Sequence, residues 1–334
     1  MVTRDDVARE AGTSTAVVSY VMNNGPRNVS PEMRERVLAA AKRLDYHPNT
    51  VARSLRSGRG TAIGVIVSDI TNTYCNELVL ALEDSALERD HSLLIGNTMH
   101  DDARQAQHLR TFLNYQVRGI IFVGSTHVTS SAMTETARTL ESNTLPLVFL
   151  DQSTQDARLG GTSILIDNEG GAYRATKHLL DHGHTEVTLF SGLDAMASVG
   201  ERTKGWERAL REAGIDPATQ RRTTTDFDRY QALDAALGMF DEGTPQAIFA
   251  ESDEQAVGIM FAASQRGVRI PEDVALASFD GIRESAAVSP PLTTAAQSMT
   301  DKAEIAIETI LEGPSATPPA PLPTELVVRA SCGC

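Results

Sequence analysis

The sequence predicts a small all-α helix-turn-helix headpiece followed by a two-lobed α/β core built on two doubly wound parallel sheets. Three observations predict it. The first 60 residues hold short amphipathic segments bounded by helix-start and helix-stop residues. From Ala62 onward, short apolar runs alternate with helical stretches, the pattern of βαβ units on a parallel sheet. At 334 residues the chain is too long for one compact core and suits two or three domains.

The first helix starts at Thr3, an N-cap with Asp6 in the capping-box position. Val7, Ala8 and Ala11 fall on one face, and Gly12 stops the helix because it takes the left-handed conformation without a Cβ clash. Ser14 caps a second helix, with Val18, Val21 and Met22 inward. Its outer face carries Thr15, Ala16, Ser19 and Tyr20, side chains that can approach base edges and phosphates. Alone, this is equally a helical hairpin with a polar outer face or a helix-turn-helix whose second helix enters a major groove. A third helix follows over 30–44, with Ser30 as cap, Pro31 at its first position and a stripe of Met33, Val37, Ala40, Ala41 and Leu44. Asn49 then caps a short segment to Ser57. A helix that short does not hold in water by itself, so its folding is expected to be coupled to binding.

In the body, strands are expected at Ala62–Ser68, Leu93–Asn97, Gly119–Gly124, Leu147–Leu150, Ile164–Asp167, Val187–Ser191, Ala247–Ala250 and Val274–Phe279. Helices are expected at 75–89, 101–116, 169–182, 199–213, 230–241 and 253–266. So many parallel strands suit two sheets better than one. Ligands bind such folds at the carboxyl ends of strands. The Pro290–Thr294 run reads as a crossover, and Gly313–Pro323 as an extended connector to a last strand, Glu325–Arg329.

Net charge is −14, which looks wrong for a nucleic-acid partner until the chain is split. Residues 1–60 hold ten Lys/Arg against six acids, about +4, which leaves −18 on the rest. One end can attract phosphate while the body repels it. No apolar run reaches the length of a membrane span, and MVTRDDVARE lacks the apolar region of a signal peptide, so no membrane partner and a cytoplasmic location are expected. Three cysteines are too few for a disulfide framework. No cofactor and no metal are expected. His182-Gly183-His184 reads as a turn with no further ligands clustered near it, and Cys332-Gly333-Cys334 as a C-x-C at a frayed terminus.

The stretches DVAREAGTSTAVVSYVMN, VSPEMRERVLAAAKRLDYHPN and VARSLRSG, in that order, resemble the DNA-binding headpiece of the LacI/GalR family of bacterial repressors, and the likeness runs over nearly the whole chain. The resemblance implies a body like a periplasmic sugar-binding protein: two lobes, three crossing strands, and a ligand in the cleft. It divides the chain into a headpiece (1–48), a hinge helix and linker (49–60), an N-terminal lobe (61–161 and 292–320) and a C-terminal lobe (162–291 and 321–334). Base readout falls on Thr15, Ala16 and Tyr20, with Leu55 as a minor-groove wedge supported by Arg56. Tyr20 stands where Arg or His is frequent in the family, which changes the preferred bases. Thr3, Ser14, Val17, Ser19, Asn23, Ser30, Asn49 and Arg56 are assigned to the DNA backbone, where contacts position but do not specify.

Effector candidates sit mainly at strand ends: Asn72 and Tyr74, Asp151, Asp253, Asp280, and Gln297 after the crossover. The resemblance adds Arg202, in GERTKGW, and Phe227. An Arg with several carboxylates and an aromatic plane is the chemistry of a polyhydroxylated ligand. In the family motif D-x-x-N-P-F-F, Thr73 here replaces Pro and Cys75 replaces an aromatic. Ser252 stands where relatives often have Asn. The expected function is therefore a repressor that binds a pseudo-palindromic double-stranded operator as a homodimer under control of a small effector, a sugar. The absence of a heptad repeat argues against a coiled-coil tetramer. Alternatives are control by a purine or nucleoside, control by a protein partner, or a sugar-binding protein without DNA function. An enzyme using the cleft carboxylates is disfavoured because no nucleophile–base motif accompanies them.

Overall fold

The computed structural model describes residues 2–22, 28–46, 60–124, 145–152, 161–193, 197–313 and 320–334. The chain divides into two compact units, Met1–Gly60 and Thr61–Cys334.

The first unit holds α1 (Arg4–Ala11), α2 (Thr15–Met22) and α3 (Pro31–Arg43). Its caps satisfy backbone donors that a helix start leaves unpaired. Thr3 Oγ1 accepts from the Asp6 amide at 3.3 Å, while Asp6 accepts from the Thr3 amide at 2.9 Å. Gly12 ends α1 at φ 62°, and the Arg36 guanidinium donates to the Ala11 carbonyl at 2.7 Å, tying that end to α3. Ser30 Oγ accepts from the Met33 amide at 3.3 Å. Val7, Ala8, Ala11, Val18, Val21, Val37, Ala40 and Ala41 form one small core. The expected hinge helix, with Asn49, Leu55 and Arg56, lies outside the described residues, as does Asn23.

The second unit begins with β1 (Ala62–Val67), α4 (Thr73–Leu87), β2 (Ser92–Asn97), α5 (Asp102–Asn114), β3 (Ile120–Val123), β4 (Leu147–Leu150) and β5 (Thr162–Ile164). These strands make a parallel sheet in the order β2-β1-β3-β4-β5. Then come α6 (Asn168–Asp181), β6 (Val187–Ser191), α7 (Ala197–Glu212), β7 (Arg222–Thr224), α8 (Arg229–Glu242), β8 (Ala247–Ala250), α9 (Asp253–Arg266), β9 (Ala275–Asp280), β10 (Thr293–Gln297), α10 (Met299–Glu312) and β11 (Thr324–Val327). The second sheet runs β11-β10-β9-β8-β6-β7, with only β11 antiparallel to its neighbour. Strands β3, β4, β6, β8 and β9 are buried along their whole length, which is why they read as continuous apolar runs and not as alternation.

Each sheet has its own core. Helix α10 returns to the first one: Ala303, Ala306, Ile307 and Ile310 pack with Ile63, Val65, Leu78 and Val148. The chain therefore passes between the lobes after β5, after β10 and again before β11. Ile166 and Leu322 pair as a parallel bridge where two of these passages meet.

Several expected edges move. The Ile164–Asp167 strand is Thr162–Ile164 plus the single bridge at Ile166. β5 lies in the first sheet, so the lobe edge expected at 161/162 falls after Ile164. The Pro290–Thr294 run is not the crossover: Thr293–Gln297 is a strand of the second sheet, and the chain leaves that sheet only after Gln297. Its TTAAQ sequence has two β-branched threonines but no large apolar side chain, and Ala-Ala-Gln is poor strand material, so no apolar run marks it. β7, the polar edge strand Arg222–Thr224, was likewise not legible as a strand.

Candidate functional site

On the first unit, Ser14, Thr15 and Ala16 are exposed at the start of α2, and Ser19 and Tyr20 are half-buried further along the helix. Ser14 and Ser30 accept their cap bonds through oxygen lone pairs, which leaves each O–H to donate outward. Thr3 is exposed at the start of α1, where its hydroxyl donates to Asp6 at 2.6 Å. Val17 differs from expectation. Its amide is taken by Ser14 Oγ at 3.3 Å and its side chain packs partly on the headpiece core, so it has nothing to offer a phosphate.

On the second unit, a cavity of about 480 Å³ opens between the two sheets, within the range of small-molecule sites. Six of the eight expected effector residues line it: Asn72, Tyr74, Asp151, Arg202, Phe227 and Asp280. The fold puts them there in a simple way. Asn72 caps α4 through the Cys75 amide at 3.2 Å. Asp151 and Asp280 sit at strand ends with φ of 60° and 115°, backbone that side-chain-bearing residues rarely adopt and that concentrates at functional sites.

The cavity floor is a chain of buried polar groups. Lys302, on α10 and fully buried, donates to Asp151 at 2.6 Å, to the Tyr74 hydroxyl at 2.7 Å, and to Gln297 Oε1. The Tyr74 hydroxyl also donates to Asp151. Gln297 Nε2 donates to Asp280 at 2.7 Å, and Asp280 pairs with Arg202 at 3.1 Å. Arg202 also donates to Asn168 at 2.9 Å and to the Glu251 carbonyl, and lies 3.8 Å above the Phe279 ring. Burial pushes the Asp280 carboxyl up to about 6, against the pull of Arg202 and Lys302. Burial and then the Asp151 charge hold the Tyr74 phenol well above its usual value. Burial lowers Lys302 from its ordinary value, with Asp151 opposing. Cys75, beside Ser68 under the cavity, is pushed by burial up to about 12, so it stays a neutral thiol.

The rim is held across the lobes. Asn72 Nδ2 donates to the Phe227 carbonyl at 3.0 Å. Glu254 accepts from the Thr73 amide at 2.9 Å and pairs with Arg229 at 2.7 Å. Arg229 also donates to Thr73 Oγ1 and pairs with Glu284, each at 3.0 Å. The Arg283 amide donates to Glu77 at 2.9 Å.

Two expected contacts are corrected. Asp253 does not line the cavity. It is fully buried, and its two oxygens accept from Ser278 Oγ, Thr294 Oγ1 (2.7 Å) and the Gly281 and Ile282 amides (2.8 Å each). With its lone pairs taken, it fastens the ends of β9 and β10 to the start of α9. Gln297 also lies behind the lining, where it links Lys302 to Asp280. Sequence reasoning missed Lys302, Glu254 and Arg229. A lysine inside the apolar stripe of a helix was the one available signal for the first.

The carboxyl end is not frayed. Ala330–Cys332 forms a 3-10 turn with Cys332 buried, and His178, His182 and Cys334 converge beside it, so the expectations of a frayed terminus and of no further ligands near His182 are also corrected.

Residues 3–49 match the family model described as bacterial regulatory proteins, lacI family, and residues 176–332 match a periplasmic binding protein-like domain. The chain is 35% identical over 308 residues to catabolite control protein A of Priestia megaterium, covering 92% of this chain and 90% of that protein. It is 33% identical over 314 residues to the ribose operon repressor of Escherichia coli strain K12, covering 93% and 92%. The crystal structure of the Lac repressor dimer bound to operator and the anti-inducer ONPF superposes with a TM-score of 0.84 at 27% identity, covering 99% of each chain.

Proposed function

The chain belongs to the LacI family of bacterial regulatory proteins, a DNA-binding transcription regulator under small-ligand control, and from that premise we propose that its effector is an uncharged sugar. The observation that carries this reading is the cavity's make-up. Seven carboxylates line it against two guanidiniums, so an anionic ligand such as a sugar phosphate is repelled. Tyr74 and Phe227 offer apolar planes for a sugar's C–H face, and carboxylates accept from vicinal hydroxyls. One relative is named a ribose operon repressor, which supports the same class.

The protein acts as a homodimer in the cytoplasm on a pseudo-palindromic operator, without catalysing a reaction. A Lac repressor dimer is seen on operator in the structure matched above. Thr15, Ala16 and Tyr20 read base edges, and Thr3, Ser14, Ser19, Asn23 and Ser30 hold phosphates. Asn49, Leu55 and Arg56 form the hinge, with Leu55 wedged into the minor groove. Asn72, Tyr74, Asp151, Arg202, Phe227 and Asp280 contact the effector.

The pair of aromatic rings also favours a second reading, a purine or nucleoside held between them. The test is selection of bound duplexes from a random pool at fixed salt, followed by operator titration with pentoses, hexoses, disaccharides and purines. A palindrome whose affinity shifts about 5–150-fold with a sugar supports the proposal. A shift with purines alone replaces it by the second reading.

A further inference from the structure

We propose that the end of α6 and the carboxyl-terminal turn form a tetrahedral zinc site, away from the cleft. His178, in the last turn of α6, and His182, which caps the end of that helix, are four residues apart, with ring centroids 4.5 Å apart. The chain end folds back onto them. His178 Nε2 lies 3.2 Å from Cys332 Sγ and 3.3 Å from Cys334 Sγ. His182 Nε2 lies 3.0 Å from Cys334 Sγ, and the two sulfurs are 3.3 Å apart. Ligand atoms of His178, His182 and Cys334 all fall within 4.8 Å of one another. Cys332 Sγ touches His178 and Cys334 but stands outside that group, and a short shift of its side chain toward His182 would make it the fourth ligand.

Two imidazoles and two thiolates are the donor set of tetrahedral zinc. With Zn–N of about 2.0–2.1 Å and Zn–S of about 2.3 Å, ligand atoms stand roughly 3.3–3.8 Å apart. The four contacts given between these atoms need to lengthen by only a few tenths of an ångström, while Cys332 Sγ must draw nearer to His182.

The surroundings are arranged as a metal's outer contacts usually are. His182 Nδ1 lies 2.8 Å from the His178 carbonyl, which can only accept. Nδ1 therefore carries the proton, and Nε2 presents its lone pair to the sulfurs. Thr293 Oγ1 lies 3.1 Å from Cys332 Sγ, and both the Thr293 hydroxyl (2.9 Å) and the Cys332 thiol (3.1 Å) donate to the Arg329 carbonyl, which fixes the sulfur in place until a metal displaces its proton. Cys332 is held from behind, because Ser331 Oγ donates to the Leu276 carbonyl at 2.7 Å and accepts from the Thr293 amide at 2.8 Å. Gly333, at φ 91°, turns the chain between the two cysteines. Lys177 pairs with Asp181 at 2.6 Å, so the nearest carboxylate on the helix is already engaged. When Zn²⁺ binds, the two thiols release their protons to solvent and four protein–metal bonds form, with no change in oxidation state. The ion staples the chain end, and with it β11, to α6.

The test uses the untagged full-length chain, reduced and stripped of metal, titrated with Co²⁺ and then Zn²⁺. The expected result is one equivalent of cobalt with intense tetrahedral d–d bands and a thiolate charge-transfer band, both lost when zinc displaces it. Cys334→Ser and His182→Ala, on exposed groups, each abolish the bands and leave operator binding unchanged. Zinc raises the melting temperature of the parent chain and not of Cys334→Ser. A weak octahedral spectrum, or tetrahedral bands that survive in Cys334→Ser, overturns the proposal. So does a Cys332–Cys334 disulfide in protein kept under reductant.

Discussion

Lys302 shows how a single side chain can hold a cavity together. It is fully buried and satisfies acceptors on Asp151, Tyr74 and Gln297. Lys302→Met leaves the Asp151 charge without its partner and is expected to destabilise the second unit by about 3–5 kcal/mol, read from urea unfolding midpoints. Asp280 and Asp253 give a pH signature. Burial raises them to about 6 and about 7, from an ordinary 3.8. The folded state then holds more protons than the unfolded state between about pH 4 and 7. The stability these groups contribute is complete below that window and is lost as pH rises through it. Melting temperature is therefore expected to fall between pH 5 and 7.5, and Asp253→Asn to flatten that slope. At this scale the sequence was partly legible. Strand-end acids and one arginine announce a cleft, but nothing in ESDEQ says which of Asp253 and Glu254 faces it. Neighbouring residues at a helix start point about 100° apart, and the packing of β9 and β10 decides the matter.

Caps and stops made the helices of the headpiece readable, because each is a local hydrogen-bond requirement. The same locality makes them testable. Ser30→Ala removes the acceptor for the Met33 amide and is expected to cost about 1 kcal/mol, seen as faster hydrogen exchange in α3. Gly12→Ala is expected to cost at least as much. A Cβ there meets the Arg36 guanidinium at 2.8 Å, on backbone already in the left-handed region. Buried strands such as Leu147–Leu150 were readable from apolar run and length alone. β10 was not, because its burial comes from its central place between β9 and β11 and not from its composition. The zinc-type cluster was hidden for a related reason. His178 and Cys334 are 156 residues apart, and only the return of the chain after β11 unites them.

At the scale of the second unit, hydrogen bonds and ion pairs join the two lobes across the mouth of the cleft. Arg229 reaches Glu254, Glu284 and Thr73 at once. Arg229→Ala is expected to loosen closure, enlarge the radius of gyration measured by solution scattering without ligand, and change effector–operator coupling by about 0.5–2 kcal/mol. A scattering profile identical to the parent's would show that the other cross-lobe bonds suffice. The split between a basic amino-terminal segment and an acidic body predicts steep weakening of DNA binding with salt. The positions of Asp253 and Lys302 have one more consequence. Both bear the weight of the fold from behind the lining, whereas Glu254, Arg229 and Glu284 stand at the rim. Descendants of this chain can therefore exchange rim residues and acquire a new ligand preference without rebuilding the frame. A change at Asp253 or Lys302 instead costs stability of the frame itself, so those two positions are expected to vary less freely than the rim.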